Sequence, residues 1–471
     1  MKLEKKYGLF TAIAMVVGVV IGSGVFFKAQ TVLEKTEGNV VLGILSWVIG
    51  GIIMILCACT FAVMATKYEK VNGIVDYAES IVGKKYSYYM GWFVATIYTP
   101  AMTGVLGWVS ARYFGELFGW SLTSANVMVI GGFFLAASYA LNALSPKIAG
   151  KFQVSTTVIK LIPLALLAVV GTIYGLINNG VKYSVVNGEV IKEGANQMQI
   201  LVENFKNSTS SGFGLLLAGV VSTVFAYEGW ILATSINAEL KDAKRNLPLA
   251  LFFGCLAIMV IYLLYYIGVL GGATTDVLIV GGSRFAFLQV FGDFFGTILT
   301  VFIVISCLGT LNGLMLSCTR SFYALAANKK GVKPEVLGEV DEKTNMPNNS
   351  AIVGFLFAFI WFVYFYGANL TETWFGKFSF DSSELPIVTI YAMYLPIFIM
   401  FIAKEHKSLG VVKGIVLPIL AILGSLFMVY AAIYSHKMAV VYYLIIYLVV
   451  MVIGALVLHF NQKHETVEVE K

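Results

Sequence analysis

Charge is what this chain has least of. Only 12% of its 471 residues are Asp, Glu, Lys or Arg, about half the share of a soluble protein this size. That excludes a solvated globular domain. Histidine is scarce too, with four in all. His406, His436, His459 and His464 lie at the edges of apolar runs or in the tail, so no cluster for intramembrane catalysis or metal binding is expected. The five cysteines, Cys57, Cys59, Cys255, Cys307 and Cys318, fall in or at the ends of apolar runs, which argues against an external disulfide framework. Cys57 and Cys59 form a CxC with no second pair nearby and read as packing residues. No small-residue cleavage site follows MKLEKKYGLF, which reads as an uncleaved cytoplasmic tail, not a signal peptide. The net charge of +6 is accounted for by lysines at membrane edges; no nucleic-acid partner and no cofactor are expected.

What is present is hydrophobic sequence, 59% of the chain. Apolar runs of about 20 residues recur along its length, as expected of a polytopic membrane protein. Set against the polar gaps, they predict twelve spans near 9–27, 40–64, 87–111, 125–143, 153–177, 213–236, 248–271, 293–322, 350–367, 385–403, 411–433 and 438–460. About two thirds of the 32 Lys and Arg fall on one side when the amino terminus is placed inside. The positive-inside rule then puts both termini in the cytoplasm, and a bacterial-type inner (plasma) membrane is the expected location. The gap 178–212 is then external, and FAFLQVFGDFFG in the next long gap is expected to form a short interfacial helix.

Two spans carry glycine-centred interruptions about 205 residues apart. Span one contains VVIGSGVFF, with Gly22, Ser23 and Gly24, and span six contains VFAYEGW, with Glu228 and Gly229. A continuous helix satisfies its own backbone in lipid, so a break is tolerated only against protein, ligand or water. Paired breaks mark the substrate site of inverted-repeat transporters. Five spans separate equivalent points and invert topology, which fits a 5+5 repeat: residues 1–177, then 213–403, with two extra helices at 411–460, all one transmembrane domain.

If span one stops near Val20 and restarts after Gly24, the amides of Ser23, Gly24 and Val25 open a helix amino end suited to a carboxylate. The Ser23 hydroxyl adds a donor or a cap. The plainer alternative is that Gly18 and Gly22 form an unbroken GxxxG packing face. In span six, carbonyls of Phe225, Ala226 and Glu228 would suit an ammonium, with Phe225 as an aromatic gate. Phe225, Tyr227 and Trp230 are equally readable as ordinary packing aromatics. Glu228 resists that reading, since an intramembrane carboxylate is costly and functional by default. Lys160 lies about eight residues into span five, roughly 12 Å of helix rise, too deep to snorkel to the surface. An inward ammonium there occupies a cation site, making transport sodium-independent, or titrates.

These residues reach a family. VIGSGVFF, FAYEGW, KDAKRNLPLA and LNGLMLSCTRSFYALAANKKG, with Arg320 and Tyr323, resemble amino acid permeases of the amino acid–polyamine–organocation superfamily. Within it the chain is most similar to L-type amino acid transporters and bacterial serine/threonine exchangers. The resemblance implies an all-α, LeuT-like membrane fold of twelve transmembrane helices with discontinuous helices 1 and 6. It implies that Ser23 and Gly24 bind the substrate carboxylate. It also implies that carbonyls of Val20, Phe225, Ala226 and Glu228 take the α-amino group, and that Lys160 stands in for a sodium ion. The loop after span two, EKVNGIVDYAES, has Gly73 alone where the family often has Pro–Gly–Gly. The loop 112–124 lacks the cysteine that holds a heavy chain in animal L-type carriers, so no disulfide-linked partner is expected.

The function read from this pattern is a carrier of amino acids, most simply neutral ones, working as an exchanger or a proton-coupled permease by alternating access. A transporter-like sensor without flux is the alternative. A channel would need a repeated polar stripe, and an enzyme a buried catalytic cluster; neither is present. Tyr98, Thr99, Thr103, Tyr391 and Tyr394 are candidate wall residues for the substrate side chain.

Overall fold

The structure, a computed structural model, describes residues 8–68, 73–177, 179–230, 240–342, 344, 346–370 and 374–469. Among them, nine helices are long and apolar enough to cross a membrane, and a tenth span is formed by a bent pair. That pair is Leu9–Val20 and Gly24–Lys35, set at 55°. Span six provides Phe213–Tyr227; its expected continuation to residue 236 lies outside the described residues, as do residues 69–72 of the loop after span two. Gly410, at φ 73°, interrupts the apolar stretch 385–436. Large apolar side chains such as Leu448, Val449 and Val452 stay 53–58% exposed, as a lipid-facing surface requires.

The chain divides into two compact units. The first comprises Met1–Gly73, Thr157–Ser306 and Tyr394–Ser435. Its helices approach closely through small residues. A Cβ on Gly171 or Gly175 would meet the backbone of Gly268 or Gly271, so spans five and seven pack backbone to backbone, as small residues permit in lipid. Span one runs further than its apolar stretch. Gly24–Lys35 is helical throughout, and Lys28 and Gln30 are buried within it. Gln30 Nε2 donates to Ile279 O at 2.7 Å, so its polar head is satisfied rather than solvated.

The fold is helical as expected, with a β-hairpin added. Within the gap 178–212, Asn179–Val186 and Glu189–Met198 pair antiparallel. Asn187 and Gly188 turn the chain with φ of 52° and 80°, the dihedrals of a type I′ hairpin and the reason Asn-Gly favours one. Gln289 fastens the hairpin: its Oε1 accepts from Lys182 N at 2.9 Å and its Nε2 donates to Gly180 O at 2.7 Å. Gln289 sits on the interfacial helix expected from FAFLQVFGDFFG, which begins at Ser283 and breaks at Gly292 with φ 77°.

The second unit comprises Ile74–Thr156, Cys307–Met393 and His436–Lys471. Several of its buried polar side chains are tied to one another or to backbone. Asn142 Nδ2 donates to Asn312 Oδ1 at 2.9 Å, and Trp361 Nε1 to Thr96 O at 3.0 Å. Arg112 and Glu116 form a buried pair at 3.0 Å, so Arg112 belongs inside a span, not in a loop. In the eighth-span pattern, the Tyr323 amide donates to Ser350 Oγ at 2.9 Å.

Candidate functional site

The first break is real, and the unbroken GxxxG reading does not hold. Leu9–Val20 ends with Ile21 in an extended conformation (φ −64°, ψ 106°), and a new helix opens at Gly24 behind Ser23. Ending a helix inside the membrane leaves its last carbonyls without intrahelical partners. Three of the last four are met individually. Val17 O accepts from Ile21 N at 2.9 Å. Gly18 O accepts from the Lys160 ammonium at 2.6 Å. Val20 O accepts from the Tyr262 hydroxyl at 3.1 Å. A cation at a helix carboxyl end also complements the helix dipole. Lys160 is 4% exposed, so its stem points inward and does not snorkel.

On the far side of the break, Ser23 is fully buried and does not cap the helix that it precedes. Its Oγ has no hydrogen-bond partner among the described residues. A buried hydroxyl in that state is unusual in a folded protein. It stands beside the opening amides of Gly24–Lys35, a donor group at a helix amino end.

The second break ends the Phe213–Tyr227 helix. Glu228 is extended (φ −75°, ψ 158°), and Gly229 takes φ +106°, a region that only glycine enters at low cost. Phe225, Ala226 and Glu228 are all buried. A Cβ built on Gly24 would lie 2.7 Å from Ala226 Cα and 3.3 Å from Phe225 O. The two breaks are therefore in backbone contact, and the absent side chain at position 24 permits it.

Tyr262, on the Ala243–Gly272 helix, joins them. Its hydroxyl lies 3.1 Å from Val20 O and 3.1 Å from Ala226 O. One hydroxyl thus gathers carbonyls from both breaks. A carbonyl oxygen has two lone pairs, so each keeps acceptor capacity for an ammonium. Sequence reasoning missed Tyr262 because its run, IYLLYYIG, counts as apolar. The signal was available: Tyr262, Tyr265 and Tyr266 share one helix face at i, i+3 and i+4, and all three are fully buried.

Aromatic rings close around the break. Phe225 meets Phe27 edge-on at 6.2 Å, and Trp47 packs on Tyr227 and Tyr262 at 5.5 and 5.7 Å. Lys28, also missed, is 1% exposed, with its ammonium 5.2 Å from the Phe27 ring and 5.8 Å from that of Phe225. Of the candidate wall residues, Tyr394 packs against Phe61 and Trp230. Tyr98, Thr99, Thr103 and Tyr391 belong to the second unit. There Thr103 Oγ1 donates to Thr99 O at 2.7 Å, a hydroxyl committed to its own helix.

A membrane bundle with interrupted spans one and six defines a LeuT-type transporter. The solved structure of MhsT in complex with L-phenylalanine aligns with 92% of this chain and 99% of that one, at a TM-score of 0.58 and 13% identity. Residues 7–456 match the amino acid permease family model, and the chain belongs to that family. It is 28% identical to the serine/threonine exchanger SteT of Bacillus subtilis (strain 168), over 93% of each chain. It is 24% identical to the b(0,+)-type amino acid transporter 1 of Mus musculus, over 97% of this chain and 88% of the relative. The protein is an amino acid transporter embedded in a membrane, not an enzyme.

Proposed function

We propose that this transporter is a sodium-independent carrier of neutral amino acids, working by alternating access as an exchanger or a proton-coupled permease. The observation that carries the reading is the Lys160 ammonium on Gly18 O at the interrupted end of span one. A fixed charge-assisted hydrogen bond supplies positive charge to carbonyls that a dissolved cation would otherwise serve. In this reading the amides at Ser23 and Gly24, with the buried Ser23 hydroxyl, take the substrate carboxylate. The carbonyls of Val20, Phe225, Ala226 and Glu228 take the α-ammonium, and Phe225 shields the bound molecule. The exchanger activity named for SteT supports the exchange form.

We assign the twelve spans to two inverted repeats, 1–177 and 213–403, followed by two further helices at 411–460. Both termini are cytoplasmic, in a cell membrane, on the excess of Lys and Arg that this orientation places inside. No disulfide-linked heavy chain is required, because the loop 117–124 offers no thiol.

The test is counterflow in proteoliposomes against a panel of amino acids, with and without sodium and with imposed pH gradients. Uptake of neutral amino acids that is indifferent to sodium is the expected result. A strict sodium requirement overturns the assignment of Lys160. Equal uptake of the decarboxylated amine overturns the carboxylate role of the first break.

A further inference from the structure

At the end of span two, Thr66 and Lys67 open onto a cavity of about 600 Å³, lined also by Lys244, Ser408 and Leu409. All belong to the first unit, and the substrate site uses none of them. The charges facing this cavity can be counted. The Lys67 ammonium is paired with the Glu405 carboxylate and donates to Ser408 Oγ at 2.9 Å. The Tyr68 hydroxyl donates to Glu405 Oε1 at 2.5 Å, and Ser408 Oγ donates to Glu405 Oε2 at 2.8 Å. Glu405 is therefore buried and fully engaged by protein groups, while Lys67 remains 35% exposed. Lys244 is exposed at the start of Ala243–Gly272 and has no ion-pair partner among the described residues. Among the described residues, two ammoniums against one carboxylate leave one positive charge. The remaining polar lining is two hydroxyls that already donate within the protein, Thr66 to Val63 O at 2.7 Å and Ser408 to Glu405, so the charge is carried by the ammoniums.

Such a lining suits a monoanion rich in acceptor oxygens, and a phosphate diester has that charge and those oxygens. Beyond Leu409 the chain turns at Gly410 into Val411 and Val412, which are 66% and 70% exposed. A polar, cationic cavity thus adjoins a bare apolar edge. A free phosphate would use only the first; a molecule with an anionic head and hydrocarbon tails would use both. We propose that this cavity binds the phosphate of an anionic lipid headgroup. Lys67 and Lys244 hold its oxygens, and the acyl chains lie over Val411 and Val412. The site lies where span two meets the membrane surface, the level at which basic side chains attract anionic lipids. It is independent of the substrate reading.

The experiment is thermal unfolding of the purified full chain in detergent, titrated in separate arms with short-chain phosphatidylglycerol, phosphatidylcholine and inorganic phosphate. Saturable stabilisation by phosphatidylglycerol, and little by phosphatidylcholine, is expected. Lys244→Gln should raise the half-saturating concentration ~5-fold, the effect of one lysine near an anionic surface. Lys244→Arg should retain wild-type affinity, and Lys333→Gln, at an exposed lysine elsewhere, should leave it unchanged. An undiminished response in Lys244→Gln, or an equal loss in Lys333→Gln, overturns the site. Full stabilisation by inorganic phosphate that depends on Lys244 supports the phosphate site and overturns the lipid as its source.

Discussion

The two interruptions bear the same mark in sequence, a glycine in an apolar span, and they differ in nearly everything else. The first keeps a 12-residue helix on each side, bent by 55°, and presents a helix amino end. The second ends Phe213–Tyr227 in extended backbone and presents carbonyls. One offers donors and the other acceptors, which together match the two ends of a zwitterion. The glycines also serve different needs. Gly24 lies within helical backbone and is required for space, with Ala226 Cα 2.7 Å from where its Cβ would be. Gly229 has room, its nearest neighbour being 3.6 Å from a built Cβ, and is required for its φ of +106°.

That contrast can be broken most forcefully at Gly24. In Gly24→Ala the new methyl meets backbone, which cannot swing aside, and overpacking of this kind costs about 1–3 kcal/mol. Because the methyl on the first break displaces Ala226 and Phe225 of the second, counterflow should fall ~100-fold at the upper end of that range, with the protein still monodisperse in detergent. Near-normal uptake would mean that the breaks are not in contact during transport. Next comes Lys160→Ala, which leaves Gly18 O without its charged donor. Hydrogen bonds to charged groups contribute about 1.5–3 kcal/mol, so a ~30-fold loss is expected. Uptake unchanged over a series of pH and sodium concentrations would remove Lys160 from the mechanism. Gly229→Ala should cost less, ~10-fold, because it strains one residue by about 1–3 kcal/mol without a clash. The two glycine variants, Gly24→Ala and Gly229→Ala, thus separate space from dihedral as the reason for a glycine. Equal losses would erase the distinction.

The breaks were legible because lipid forbids unsatisfied backbone, so a glycine cluster inside an apolar run has few structural excuses. Lys160 was legible on similar grounds, since depth in the span ruled out snorkelling. Lys28 was not. It sits just beyond the apolar run of span one and reads as a loop residue, yet the helix continues to Lys35 and packs Lys28 against Phe27 and Phe225. Arg112 misleads in the same way, because pairing with Glu116 lets it stay within its span. Composition registers a charge; it does not register the partner that makes the charge tolerable. The hairpin is a different case. Asn187-Gly188 carried a recognised turn signal, and Val181, Tyr183 and Val185 alternate with Lys182 and Ser184, but the partner strand Glu189–Met198 keeps no such alternation. Tyr262 was hidden by its own amphipathic nature, counting as apolar while its hydroxyl does the polar work.

That hydroxyl supplies the finest test of the comparison. Tyr262→Phe removes one oxygen and keeps the ring that packs on Trp47 and Tyr227. The loss should be modest, ~5-fold, since a neutral hydrogen bond contributes about 0.5–1.5 kcal/mol net. Its distribution matters more than its size. If the hydroxyl orients carbonyls of both breaks, the variant should weaken half-saturation for amino acids while leaving maximal exchange near normal. It should also be non-additive with Gly229→Ala, since both act on the acceptor end, as groups sharing a network are. Strict additivity would mean that Tyr262 braces span one alone, through Val20. The acceptor end would then be assembled without it, and the two breaks would be neighbours that share no polar link.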